Sequence, residues 1–280
     1  MNLLRLIVLF SIVISGCGST DIDLPDQVDL YIVEGWVTDN PGPQTVKVSL
    51  TNSFLSPGSQ IRITDAEIRV RDEDGFNYVY EYNPSAGLYV SDSTFTGVVG
   101  ADYFIEVALS TGDTLISRME TLRPVHEINI VSFDFYETES EEDPGTDILV
   151  YYPVVFANDP EDEQNFYQWN VYKEDSLFEG PENLILLEDR FINGSLYKNE
   201  FTGFEFEEGD SIGMEVRSLN QQAFEYLNFF KNQTISLGTS SASSPGPIIG
   251  NMLNKNKPGE TVLGYFGAVS IRRKGIRIIQ

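Results

Sequence analysis

The sequence predicts a mostly β protein: two β-sandwich-like domains, the first immunoglobulin-like or transthyretin-like, the second β-rich with one packed helix. Three observations predict it. From Leu30 onward, short runs rich in Val, Ile, Tyr and Phe are separated by Gly, Pro, Asn and Asp, the pattern of strands and turns. In one such run, residues 66–71, apolar and charged residues alternate strictly, so one strand face looks into a core and the other meets water. Only one stretch, beginning near Leu219, carries apolar residues at helical spacing over several turns.

Residues 1–16 read as an export signal rather than as part of the fold. Arg5 supplies a positive start, Leu6 to Ile14 an apolar run, and Ser15-Gly16 the small residues before Cys17. The run is shorter than the ~20 apolar residues a helix needs to cross a bilayer. Ile14-Ser15-Gly16-Cys17 resembles a bacterial lipobox, whose cysteine is diacylated and becomes the first residue of the mature chain. Cys17 is therefore the expected lipidation site, residues 17–28 the lipidated N-terminus and stalk, and the membrane the partner reached through that lipid. Each buried CH2 contributes about 0.8 kcal/mol, so two or more acyl chains hold persistently. Asp21 and Asp23 resemble the acidic export signals of surface lipoproteins in Bacteroidota.

A first sandwich is expected over residues 29–122. Strands are predicted at 31–37 and 45–50, then a hairpin of 66–71 and 76–80 joined by Asp74-Gly75, a two-residue turn signal. Segments 88–90, 103–109 and 114–118 complete about seven strands, the size of an immunoglobulin-like sandwich. Pro124 closes this run, and a second domain is expected over 123–280. It begins with a strand at 128–135. Residues 137–147 hold six carboxylates and no base, a density that predicts a solvated loop. Strands follow at 148–156, 166–172, 211–217, 262–270 and 271–279. The helix is placed near 219–231, with Ser218 as N-cap and Leu219, Ala223, Phe224, Leu227 and Phe230 on its apolar stripe. Residues 238–250, rich in Ser, Gly and Pro, read as a loop.

Composition excludes several functions. The 280 residues hold 43 Asp and Glu against 18 Lys and Arg, a formal charge of -25, which leaves no broad cationic surface for nucleic acid. One cysteine excludes an intramolecular disulfide, and one histidine excludes a multi-His zinc site. The charge is uneven, because residues 255–280 carry six bases, among them Arg272 and Arg273, against the single acid Glu260. Those bases read as the outward face of a final strand balancing nearby acids, or as a docking face for an anionic partner.

Four segments together resemble a known lipoprotein family: Val33-Glu34-Gly35-Trp36-Val37, Tyr103-Phe104-Ile105-Glu106-Val107, Glu215-Val216-Arg217-Ser218-Leu219 running on to Tyr226-Leu227, and Leu263-Gly264-Tyr265-Phe266-Gly267-Ala268. In order and spacing they are similar to the Bacteroidota outer-membrane lipoproteins of domain of unknown function 4249, over almost the whole mature chain. The resemblance implies an outer-membrane location and an association with TonB-dependent transporters, and it carries no catalytic residues. Gly35 and Gly264 fall within strand-like runs, where Gly marks a bulge or a close backbone approach.

The residues themselves offer little chemistry. His126 is the only imidazole, no Gly-x-Ser-x-Gly turn is present, and His126 beside Arg123-Pro124 reads as a structural hydrogen-bonding group at the domain junction. Asp159-Pro160-Glu161-Asp162-Glu163 is the best Ca2+ candidate, but it lacks the spaced ligands of a dedicated loop and reads as a solvated acidic turn. Trp36 and Trp169 read as core rings rather than sugar-stacking faces. Asp92-Ser93-Thr94, Asp113-Thr114-Leu115, Asp175-Ser176-Leu177 and Asp210-Ser211-Ile212 resemble O-glycosylation acceptors and equally resemble turns. No catalytic residue, metal or cofactor is expected. The expected function is that of a non-catalytic outer-membrane lipoprotein, lipid-anchored and accessory to a TonB-dependent uptake system. The alternatives are a structural or adhesive surface protein, and a carbohydrate hydrolase, which needs only two carboxylates about 5–10 Å apart.

Overall fold

Alternating burial organises the first layer. In a computed structural model of the chain, which describes residues 29–51, 61–91, 95–140, 143–161, 163–237 and 247–279, the first nine strands are β1 (Tyr31–Thr38), β2 (Thr45–Leu50), β3 (Ile61–Arg62), β4 (Glu67–Asp72), β5 (Asn77–Asn83), β6 (Leu88–Ser91), β7 (Asp102–Ala108), β8 (Thr114–Ser117) and β9 (Glu120–Thr121). Val33 and Val37 of β1, Val46 and Val48 of β2, Ile68 and Val70 of β4, and Ile105 and Val107 of β7 all turn into one core. Sealing branched side chains of this size stabilises the layer by roughly 1.5–3 kcal/mol each. The signal, Cys17 and the stalk lie outside the described residues, as do Asp92-Ser93-Thr94 and Asp162.

The rest of the chain comprises β10 (Ile128–Glu139), β11 (Asp147–Asn158), β12 (Phe166–Lys173), β13 (Ser176–Leu177), β14 (Ile185–Glu188), β15 (Leu196–Glu200), β16 (Ser211–Leu219), α1 (Gln221–Leu237), β17 (Met252–Asn254), β18 (Phe266–Val269) and β19 (Ile271–Arg277). Three sheets result. The first runs β17-β8-β7-β4-β5-β6-β2-β1-β18, with β3 on β2 and β9 on β7. The second is β10-β11-β15, and the third is β13-β12-β16-β19, with β14 on β12. A second core lies between the two smaller sheets and is centred on Trp169, Val155, Phe206 and Met214. Helix α1 lays Ala223, Phe224 and Leu227 against Phe166, Leu219 and Ile271 on the outer face of the third sheet, in a third cluster that also takes in Tyr265 and Trp36.

The fold class is as the sequence predicts, mostly β with one α-helix among the described residues. Several details differ. The Asp74-Gly75 hairpin closes through a three-residue loop, because Asp72 and Phe76 still pair, and Gly75 sits at φ 85. The acidic stretch 137–147 is loop only between its ends, since β10 runs through Glu139 and β11 starts at Asp147. Cross-strand pairs such as Phe135 with Tyr151 carry the ladder past the charges. Ser218 is not the helix cap. It lies in β16, and Asn220 caps α1 by accepting a 2.7 Å bond from the Ala223 amide.

The second domain expected over 123–280 does not keep all of its strands. β18 pairs in parallel with β1, Gly35 opposite Phe266, and β17 pairs antiparallel with β8, Leu253 opposite Ile116. The chain returns to the first sandwich because β1 and β8 leave apolar edges that these short strands seal. Gly264 enables the return, with φ 89 and a backbone so close to β1 that a Cβ would lie 2.1 Å from the Val33 carbonyl oxygen. Gly264→Ala is expected to lose about 2–4 kcal/mol in urea melts, whereas Gly203→Ala, where a Cβ meets nothing within 4 Å, stays within ~0.5 kcal/mol of the native chain.

Candidate functional site

Three of the four segments that carry the family resemblance meet in one place. Leu263 and Tyr265 accept the amides of Val33 and Gly35 at 3.0 and 3.2 Å, so the 263–265 segment lies along β1 before β18 begins. This turns the Tyr265 ring between Trp36 and Tyr226, with centroids 5.8 and 5.0 Å away. Its hydroxyl donates to Glu120 on β9 at 2.8 Å. Glu120 is 1 % exposed and also accepts from Asn251 at 2.9 Å and from Asn220, the residue that caps α1. Asn251 in turn clamps both backbone groups of Phe266, at 2.7 and 3.0 Å.

Electrostatics follow from burial. Loss of water pushes the Glu120 carboxyl up, against three hydrogen-bond donors that pull it down. Burial likewise raises the Tyr265 hydroxyl, helped by the neighbouring Glu120 charge, and pushes Tyr226 up to about 12. Both phenols stay protonated at neutral pH. Glu120 spends its acceptors on Tyr265, Asn251 and Asn220.

Above this floor lies an open groove of about 580 Å3 between α1 and residues 247–251, lined by Arg118, Tyr226, Phe229, Ile249, Asn251 and Tyr265. Phe229 and Ile249 expose more than half of their surface. The arrangement can seat an apolar or aromatic group against the rings and offer it Arg118 at the rim.

The residues singled out from the sequence lie elsewhere or serve the core. His126 is buried, bonds Tyr197 Oη at 2.9 Å, and stacks edge-on to Tyr167. Burial lowers its pKa, in keeping with a structural imidazole. Trp169 is fully buried, and Trp36 is half-buried beneath Tyr265. The proposed acidic turn does not converge: Asp159 points inward to Tyr167 at 2.7 Å, and Glu163 pairs with Arg123. Among the described residues no cluster of three His, Cys, Asp or Glu could hold a metal. Of the glycosylation-like segments, Asp113 is tied to Lys257 and Asp210 to Lys173, while Asp175-Ser176-Leu177 is exposed. The basic end is largely neutralised: Arg272 bridges Asp39 and Glu127, Arg273 meets Asp175, and Lys257 meets Asp113 and Glu260.

The model of a family described as a domain of unknown function, DUF4249, matches residues 19–275. The chain belongs to the DUF4249 family. No curated protein matches it. Within this DUF4249 chain, sequence reasoning found Trp36, Tyr226 and Tyr265 through their motifs but missed Glu120, Asn220 and Asn251. Glu120 and Asn251 are lone polar residues beside strand ends that find their partners only when the chain returns, whereas Asn220 carries the local signal of a helix N-cap.

The raised carboxyl sets a pH dependence. The folded value lies above the unfolded one, so the stability Glu120 contributes is fully present below the ordinary carboxylate range and is lost as pH rises through the raised value. Relative to Glu120→Gln, the native chain is expected to gain stability in thermal melts as pH falls from about 7 toward 4.5. Glu120→Ala leaves an amide hydrogen of Asn251 and one of Asn220 unpaired, with Tyr265 Oη keeping only Asn220 at 3.3 Å, and is expected to cost about 2–4 kcal/mol at neutral pH.

Proposed function

We propose that this DUF4249 chain is a non-catalytic outer-membrane lipoprotein of Bacteroidota type, held through lipidated Cys17, that serves as an accessory or ligand-binding partner of a TonB-dependent nutrient uptake system. The observation that carries the binding role is the groove beside α1. Its exposed rim sets the apolar Phe229 and Ile249 beside Arg118, Gln222 and Glu225, and its polar floor is already hydrogen-bonded within itself. Such a floor holds its shape and leaves no free base beside a nucleophile, so the site favours binding over turnover. The lipobox-like Ile14-Ser15-Gly16-Cys17 supports the anchor. No described helix is long and apolar enough to cross a membrane.

The test is a mild-detergent pull-down of the tagged protein from its native host. Stoichiometric recovery of an outer-membrane barrel is the expected result, and recovery of the bait alone overturns the uptake role. Phe229→Asp, at an exposed position, is expected to abolish that recovery with an unchanged melting temperature. Cys17→Ser is expected to move the protein from the membrane to the soluble fraction.

A further inference from the structure

The β10–β11 hairpin has a free edge, and its chemistry specifies what would pair with it. On one side β11 pairs with β15 over Val154–Asn158 and bonds Phe206 at Tyr151. On its other side β10 has no strand partner among the described residues. Ser140 donates its amide across to Thr146, which sets the parity of the antiparallel ladder. Even-numbered residues of β10 therefore bond inward, and the amides and carbonyls of Phe133, Phe135, Glu137 and Glu139 face outward. Among the described residues the one group bonded to this outward row is Asp134, whose carboxylate accepts the Phe135 amide at 2.9 Å. Residues 134–139 are all exposed, and Phe135 is 52 % so.

Charge selects the occupant. The row carries Asp134, Glu137 and Glu139, and no Lys or Arg stands between Arg123 and Lys173 in the sequence. Lys198, on β15, is paired with Glu200 and also feels the Asp134 charge, so among the described residues the edge carboxylates left without a base are Glu137 and Glu139. At the foot of the same edge, β19 already supplies the complementary group: Lys274 Nζ donates to the carbonyls of Ile128 and Asn129 at 3.2 and 2.6 Å. A second copy of the chain fits poorly, because two such edges would set carboxylate against carboxylate.

We propose that the outer edge of β10, from Phe133 to Glu139, is a strand-addition site for an extended, lysine- or arginine-rich segment of a partner protein. Backbone pairing would supply the affinity, and the carboxylates would set register and choice of partner. This inference is independent of the groove beside α1.

The test uses the full mature chain and blocked decapeptides, read by fluorescence anisotropy at low salt. A peptide of alternating lysine and threonine is expected to bind. The same peptide with alternate amides N-methylated keeps its charge and loses its donors, and is expected to bind roughly tenfold more weakly or less. Equal binding of the two reduces the site to ion pairing and overturns strand addition, as does failure of both to bind. Phe135→Pro and Phe135→Ala both lose the ring that meets Tyr151, but only the proline also removes the outward amide, so the proline variant is expected to lose the lysine peptide while the alanine variant, checked as folded by thermal melt, keeps it. Binding that survives Phe135→Pro overturns the proposal. Sedimentation showing a dimer that Glu137→Lys strengthens would assign the edge to a second copy instead.

Discussion

The structure depends on one buried carboxylate. Glu120 sits at the end of the first sandwich, yet its three donors come from the start of α1, the segment before β17 and the segment before β18. A charge this deep is tolerated only when its acceptors are filled, so each of the three later segments must arrive in register. The carboxylate therefore acts as a check on assembly. The first sandwich completes its sheet only when the end of the chain has returned, and α1 begins where Asn220 both caps the helix and reaches Glu120.

The same logic explains what could be read from the sequence. Strands β1, β2, β7 and β12 were legible because each repeats a period of two in apolar residues over six or more positions, and a sheet face imposes that period. Strands β13, β14, β15 and β17 were not, since segments such as Leu196–Glu200 and Met252–Asn254 are short or polar and become strands through a neighbour's edge. The helix cap was misplaced by two residues for a related reason. Ser218 has the chemistry of a cap, but β16 claims it, and its hydroxyl bonds Arg123 and Ser270 across sheets. The aromatic half of the candidate site announced itself in motifs. Its polar half is made only by long-range contact, with Glu120 and Tyr265 lying 145 positions apart.

Charge follows a similar division. The basic residues of the last segment looked like a patch in the sequence, but folding disperses them as partners for acids from several elements. Arg272 reaches Asp39 from the first sandwich and Glu127 from the junction, while Asp39 also accepts the Ile271 amide at 2.8 Å. Those ion pairs are worth little individually where they are exposed. The far end of the β10–β11 hairpin keeps its acidic surface, because no Lys or Arg stands in that stretch of the sequence.

A chain woven in this way cannot be divided at the junction without loss. Residues 29–122 alone would lack β17 and β18, exposing the edges of β1 and β8 and removing Phe266 and Met252 from the first core. They would also leave Glu120 with none of its donors. The groove would vanish as well, since Arg118 comes from the first sandwich, Tyr226 and Phe229 from α1, and Ile249 from the returning segment. A surface assembled from three distant parts of the sequence exists only in the complete fold and in neither half alone.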